Sequence, residues 1–113
     1  LCDTFGYSAA IPQLMRGACL KNFCTTKISW NEVNAYPHDL FTWRGIDGSG
    51  VLTHFHNHFV FPDISTVRSE MLNIRHKEVY NGKLLPFGYG DGGGGPTPGM
   101  LEDARRMKGL PEG

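Results

Sequence analysis

Leu84-Leu85-Pro86-Phe87-Gly88-Tyr89-Gly90-Asp91-Gly92-Gly93-Gly94-Gly95-Pro96-Thr97 is the stretch on which the reading of this chain turns. A short apolar segment runs into one carboxylate, and four consecutive glycines follow. Glycine loses more backbone freedom on folding than any other residue, so such a run implies backbone that passes close to something or repeatedly adopts positive φ. The apolar segment, Leu84 to Tyr89, reads as a buried strand. Thr97 to Lys108 reads as a helix, because Met100, Leu101, Ala104 and Met107 recur at helical spacing and Pro98 is tolerated near a helix start. Asp91 then stands at the C-terminal end of a strand, where α/β proteins place their chemistry. A flexible linker has no need of an apolar strand on one side and a capped helix on the other.

Upstream of that stretch, Val67, Met71, Leu72 and Ile74 predict a helix over Ser65 to Tyr80. Phe41 to Ile46 and Val51 to Phe55 flank Asp47-Gly48-Ser49-Gly50, and Asp-Gly between two β-favouring runs signals a hairpin. In the first third, Leu1 to Gly6 reads as the tail of a strand turning at Gly6. A helix follows from Tyr7 to Leu20, with Ser8 as its N-cap and Pro12 in its first turn, and then a short strand from Phe23 to Ile28. The alternation of strands and helices is that of an α/β protein.

Composition narrows the function. The 113 residues allow one compact unit, and Lys+Arg and Asp+Glu balance at 11 each, so no net charge draws the chain to nucleic acid or an anionic membrane. No apolar run approaches a membrane span, and the first residues lack the charged and apolar regions of a signal peptide. The chain reads as an internal piece of a longer protein. Cys2, Cys19 and Cys24 are odd in number and form no CxxC pair, which favours reduced thiols and a cytoplasmic location.

Four constellations could carry chemistry. Asp3 and Asp91 both lie at predicted strand ends followed by glycine and a helix, and two carboxylates opening on one face suit glycoside hydrolysis, about 5–5.5 Å apart in a retaining enzyme. Aspartates at turns are nevertheless common as simple caps. Phe5, Tyr7, Trp30 and Trp43 are aromatics near polar loops, able to stack on sugars or to serve as core. His54-Phe55-His56-Asn57-His58 sets three imidazoles on one side of an extended segment, a spacing compatible with zinc or with an ordinary polar rim. Gly88 to Gly93 matches GxGxxG literally, but no further strand follows to complete a dinucleotide site, and a glycine run produces the match trivially.

Several blocks together resemble a known family. They are Asp3-Thr4-Phe5-Gly6-Tyr7-Ser8-Ala9-Ala10 with Pro12-Gln13, Thr26-Lys27-Ile28-Ser29-Trp30-Asn31, Gly45-Ile46-Asp47-Gly48, Val51-Leu52-Thr53-His54-Phe55 and Phe87 to Thr97. In order and spacing these resemble the class II α-mannosidases of glycoside hydrolase family 38, most closely the cytosolic, vacuolar and bacterial branch. The resemblance implies part of the catalytic domain of a retaining exo-α-mannosidase, built as an irregular β/α barrel around one divalent metal, usually zinc, with cobalt as another candidate. It implies a cytoplasmic enzyme, or a vacuolar one in a fungus, that removes terminal α-mannose from oligosaccharides and is itself a homo-oligomer candidate. It places the nucleophile and a metal ligand on Asp3, the general acid/base on Asp91, and substrate-binding roles on Phe5, Lys27, Trp30 and His54. Lys27 matches a basic residue close to the nucleophile. Two features depart from the family pattern. Gly92 follows Asp91 where a second aspartate is usual, and His56 to Phe61 replaces a Pro-Pro segment after the His-Phe pair. The remaining metal ligands expected of the family fall outside these residues. The alternative is an inactive fragment or a non-catalytic carbohydrate- or metal-binding module of the same fold.

Overall fold

The computed structural model describes residues 1, 3–56, 61–90 and 93–109. Its order is helix α1 (Ile11–Gly17), strand β1 (Asn22–Thr25), strands β2 (Leu40–Arg44) and β3 (Gly50–Phe55), and helices α2 (Ile64–Leu72) and α3 (Pro98–Met107). The chain divides into two compact units, where its length alone suggested one. The first comprises Leu1–His56 with Arg75–Tyr80, the second Asn57–Ile74 with Asn81–Gly113.

The first unit is built on a mixed three-stranded sheet ordered β1-β3-β2, with β1 parallel and β2 antiparallel to the central β3. The β2–β3 hairpin forms as its Asp-Gly predicts. Asp47 Oδ1 accepts the Ser49 amide at 3.0 Å and its other oxygen accepts the Ser49 hydroxyl at 2.6 Å, while Gly48 takes φ +82°. A left-handed residue there matches the turn to the right-handed twist of the strands, and only glycine adopts it without strain. Those hydrogen bonds hold the Asp47 carboxyl below its ordinary pKa, the Ser49 hydroxyl first and the Ser49 amide next.

Burial along β3 explains the core. Val51 is buried, Leu52 exposed and Thr53 buried, as expected of a half-covered sheet, but His54 and Phe55 are then both buried. Loss of the alternation means both faces are covered at the strand's C-terminal end. Two aromatic clusters lie on the face of Val51, Thr53 and Phe55, and Tyr80 lies edge-on to His54 on the other. Tyr7, Phe23 and Trp43 meet edge to face at 5.4–6.4 Å between centroids, and Tyr36, Phe41 and Phe55 meet at 4.9–5.2 Å.

Several expected boundaries shift. Leu1 to Gly6 is not a strand, although Gly6 does turn with φ +81°. The first helix is seven residues long and starts after Ala10, not Ser8; the Ser8 hydroxyl instead accepts the Ala10 amide in the preceding turn. Cys19 ends it in the left-handed region, with Leu20 N bonded to Met15 O at 2.8 Å and Cys19 N to Arg16 O at 3.0 Å, a Schellman closure built without glycine. The strand expected over Phe23 to Ile28 stops at Thr25, and Lys27–Ser29 is a 3-10 turn.

In the second unit, α2 begins at an Asp63 cap whose Oδ1 accepts the Thr66 amide at 2.9 Å. The helix expected to run to Tyr80 ends at Leu72. Beyond it the chain joins the first unit, where the Arg75 amide is taken by Asp39 Oδ2 at 2.9 Å and His76 adopts φ 59°, both incompatible with a continuing helix. Helix α3 forms as read, with Thr97 accepting the Met100 amide at 3.3 Å and Met100 buried.

The strand expected over Leu84 to Tyr89 is absent. Phe87 makes an isolated bridge, and Leu84 and Tyr89 are 50% and 62% exposed. The glycine run instead closes a loop, with Tyr89 N on Gly95 O at 2.7 Å and Gly94 N returning to Tyr89 O at 3.3 Å. Its glycines serve as the composition implied. Gly90 and Gly95 have φ of 64° and 72°, and a Cβ on Gly94 would come within 3.2 Å of the Tyr89 carbonyl. Asp91 itself lies outside the described residues.

Candidate functional site

In parallel sheets the chain emerges from neighbouring strands on the same side, and ligand sites gather there. The two parallel strands here are β1 and β3, paired from Asn22↔Leu52 to Thr25↔Phe55. Their C-terminal ends carry Thr25-Thr26-Lys27 and His54-Phe55-His56, linked by His56 N on Thr25 O at 3.1 Å. These ends are unusually polar for a buried region: Thr25, Thr26, Thr53 and His56 are each 1% exposed or less. Thr25 is held by a hydrogen bond between its hydroxyl and that of Tyr7. The Thr53 hydroxyl donates to the Val51 carbonyl at 3.4 Å.

Lys27 stands at the edge of that layer. Its side chain is 6% exposed, and its ammonium makes an ion pair with Asp3 Oδ1 at 3.0 Å, while the Asp3 side chain stays 53% exposed. The same ammonium lies 3.7 Å from the centroid of the Trp30 ring and 5.3 Å from that of Phe5. Phe5 and Trp30 meet nearly edge to face, at 6.1 Å and 74°. The 3-10 turn explains the placement. Trp30 N closes it on Lys27 O at 3.1 Å, and in a 3-10 turn residues three apart eclipse, which sets the indole over the lysine. Phe5 reaches the same ammonium because it lies two residues after Asp3.

The structure thus brings together Asp3, Phe5, Lys27 and Trp30 of the residues read as a site. Asp91 lies outside the described residues. His54 is buried at 7% exposure, registered opposite Cys24 and edge-on to Tyr80 at 6.1 Å. Phe5 and Trp30, by contrast, are 75% and 59% exposed. Of the four aromatics weighed as sugar platforms or core, Tyr7 and Trp43 are half-buried and pack with Phe23, and Phe5 and Trp30 are open. Sequence reasoning passed over Tyr7 and Thr25 as supports of the strand end, and the cation–π stacking of Lys27. The spacing Lys27-x-x-Trp30 was its only local sign.

The metal can be tested against these residues. Among the described residues, no three His, Cys, Asp or Glu side chains gather as a metal centre would need. Asp3 can offer an oxygen, but its Oδ1 already carries the Lys27 ammonium. The described residues alone therefore do not constitute a metal site. Of the three imidazoles read as a zinc set, His54 and His56 are buried and His58 lies outside the described residues.

The family model for the N-terminal domain of glycosyl hydrolases family 38 matches residues 1–113. The chain belongs to that family. It is 46% identical to alpha-mannosidase 2C1 of Mus musculus and 45% identical to that of Homo sapiens, in each case over 98% of this chain and 11% of the relative. It is 42% identical to an alpha-mannosidase of Saccharomyces cerevisiae, over 97% of this chain and 10% of the relative. This family 38 chain thus spans about a tenth of the length of the curated relatives it matches. What it contributes to that family is a small mixed α/β segment carrying a three-stranded sheet. Among the described residues no helix is long and apolar enough to cross a membrane.

Proposed function

We propose that these residues form part of the catalytic domain of a retaining exo-α-mannosidase, with Asp3 as its nucleophile. The observation that carries this reading is the half-exposed Asp3 carboxylate, paired with the buried Lys27 and flanked by two open aromatic rings. A nucleophilic carboxylate must be ionised, accessible from one side and fixed in direction. Lys27 supplies charge and direction through Oδ1, leaving Oδ2 as the attacking oxygen. That oxygen would form a glycosyl ester with the anomeric carbon of a terminal α-mannoside as the bond to the leaving oxygen breaks and that oxygen takes a proton. Asp91 is the residue proposed to give that proton and then to accept one from the water that cleaves the ester. Phe5 offers an exposed ring for the apolar face of the sugar. His54, being buried, enters this reading as backing for the strand end.

The irregular β/α barrel is part of the same proposal, with the three-stranded sheet as one sector of it. A divalent metal such as zinc or cobalt would take Asp3 as one ligand and its other donors from outside the described residues. Breakdown of mannose-bearing oligosaccharides in the cytoplasm or a vacuole, and assembly as a homo-oligomer, belong to the proposal as well.

The test uses the full-length protein that carries these residues, supplied with zinc or cobalt, on p-nitrophenyl α-mannoside. The wild type should release nitrophenol with first-formed α-mannose. Asp3→Asn should lose about three orders of magnitude or more in kcat, as nucleophile deletions do. An inert wild type would hand the site to the alternative, a non-catalytic carbohydrate-binding module.

A further inference from the structure

We infer that Trp30 is a positioning residue that acts on Asp3 through Lys27, not a stacking platform for sugar. The inference rests on the reading of Asp3 as nucleophile. The indole carries the Lys27 ammonium 3.7 Å from its ring centroid, so one face of the ring is already taken by a cation. A cation–π contact of that kind strengthens as water is removed, and the Lys27 side chain is 6% exposed. The four-carbon stem of lysine rotates freely in water, and a lone ion pair with a half-exposed carboxylate would hold it weakly. Trp30 covers the ammonium on one side and Phe5, at 5.3 Å, encloses it more loosely on another, which leaves Asp3 Oδ1 as its anionic neighbour at 3.0 Å.

The order of causes is then explicit. The 3-10 turn at Lys27–Ser29 eclipses Trp30 with Lys27, the indole fixes the ammonium, and the ammonium fixes one oxygen of Asp3. A sugar platform acts on substrate binding and shows in KM. A residue that aims the nucleophile shows in kcat. Trp30 should therefore lose its effect wherever Lys27 is absent, a dependence that no platform shares.

The experiment compares wild type, Trp30→Phe, Trp30→Leu, Lys27→Met and the Lys27→Met/Trp30→Leu double variant in the full-length protein. Turnover of p-nitrophenyl α-mannoside is one readout. The other, independent of activity, is the rate at which an amine-selective acylating reagent labels Lys27, followed by peptide mass spectrometry. Trp30→Leu is expected to lower kcat about tenfold, with KM within about twofold, and to speed Lys27 labelling by a similar factor. Trp30→Phe keeps an aromatic face and should recover most of both effects. In the Lys27→Met background, Trp30→Leu should change kcat by less than about twofold. A rise in KM at constant kcat, or effects that multiply in the double variant, would overturn the inference. An inert wild type sinks the assignment of Asp3, and labelling then still decides the clamp: unchanged Lys27 reactivity in Trp30→Leu overturns it. Should Trp30→Leu fail to fold, Trp30→Met, which also removes the aromatic face, carries the same comparison once checked for a wild-type melting transition.

Discussion

The two units of this chain hold themselves together by different means. The first unit has a sheet and two aromatic clusters, so its order comes from burial of large apolar side chains against strands. The second has two short helices and a glycine loop, and beside the buried Ile74 and Met100 its fixed points are polar. They are the Asp63 and Thr97 caps and the ion pair of Glu70 with Lys83, 2.8 Å apart with side chains 12% and 4% exposed. The difference bears on function. A carboxylate that attacks has to be aimed to within a fraction of an ångström, and Asp3, the residue proposed for that role, is tied to the unit whose order comes from close packing. Gly90 and Gly93 to Gly95, which flank Asp91 in the sequence, belong to the other unit.

Substitutions can break that contrast. The largest effect is expected for Phe55→Ala, since Phe55 is 5% exposed and touches both Tyr36 and Phe41. It should cost about 3–5 kcal/mol in denaturant unfolding, as truncation of buried aromatics does. An effect below about 1 kcal/mol would mean that the aromatic clusters do not organise the first unit.

Next in size is Lys83→Met, which takes a cation 2.8 Å away from the nearly buried Glu70 carboxylate. Removing one partner of a buried pair costs about 3 kcal/mol, whereas the double replacement Glu70→Leu/Lys83→Met should recover most of it. Equal losses in the single and double variants would show that the pair's charge is irrelevant and only its packing matters. The same substitutions should leave Lys27 labelling unchanged, because Glu70 and Lys83 belong to the other unit.

The smallest effect is a pH dependence carried by Asp63. Hydrogen bonds from the Ser65 hydroxyl, the Thr66 amide and the Thr66 hydroxyl, in that order of weight, hold its carboxyl far below the ordinary carboxylate range. A folded-state pKa below the unfolded one adds stability that is complete above the unfolded value and is lost as pH falls through that value toward the folded one. Acidification from about pH 5 to about pH 2 should therefore lower the denaturant midpoint more in the wild type than in Asp63→Asn, which still caps the helix but does not titrate. Parallel curves would remove Asp63 from the account of the second unit.

These contrasts also show what could be read in advance. Helix α3 and the β2–β3 hairpin formed where the residues said they would, because each is specified within a few positions. Thr97 caps Met100, and Asp47 binds Ser49. The extension of α2 to Tyr80 failed for a distant reason, since the Arg75 amide goes to Asp39. The strand at Leu84 to Tyr89 failed similarly. Six apolar-rich residues satisfy the pattern of a buried strand, but a strand needs a partner edge, and this segment finds only an isolated bridge at Phe87.

The sequence by itself determined the family, the hairpin, the helix that starts at Thr97, and Asp3, Phe5, Lys27 and Trp30 as residues worth watching. Their signals lie in short motifs and local hydrogen bonds, which a linear reading can see. Only the tertiary structure decided that β1 ends at Thr25, that Lys27 turns back to meet Asp3, and that Phe5 and Trp30 stay open while Tyr7 and Trp43 pack half-buried against Phe23. The reason is physical. The Asp3–Lys27 ion pair, the Phe5–Lys27 contact and the packing of Tyr7 on Phe23 depend on distances in space between residues far apart in the chain, and hydrophobic pattern alone fixes none of them.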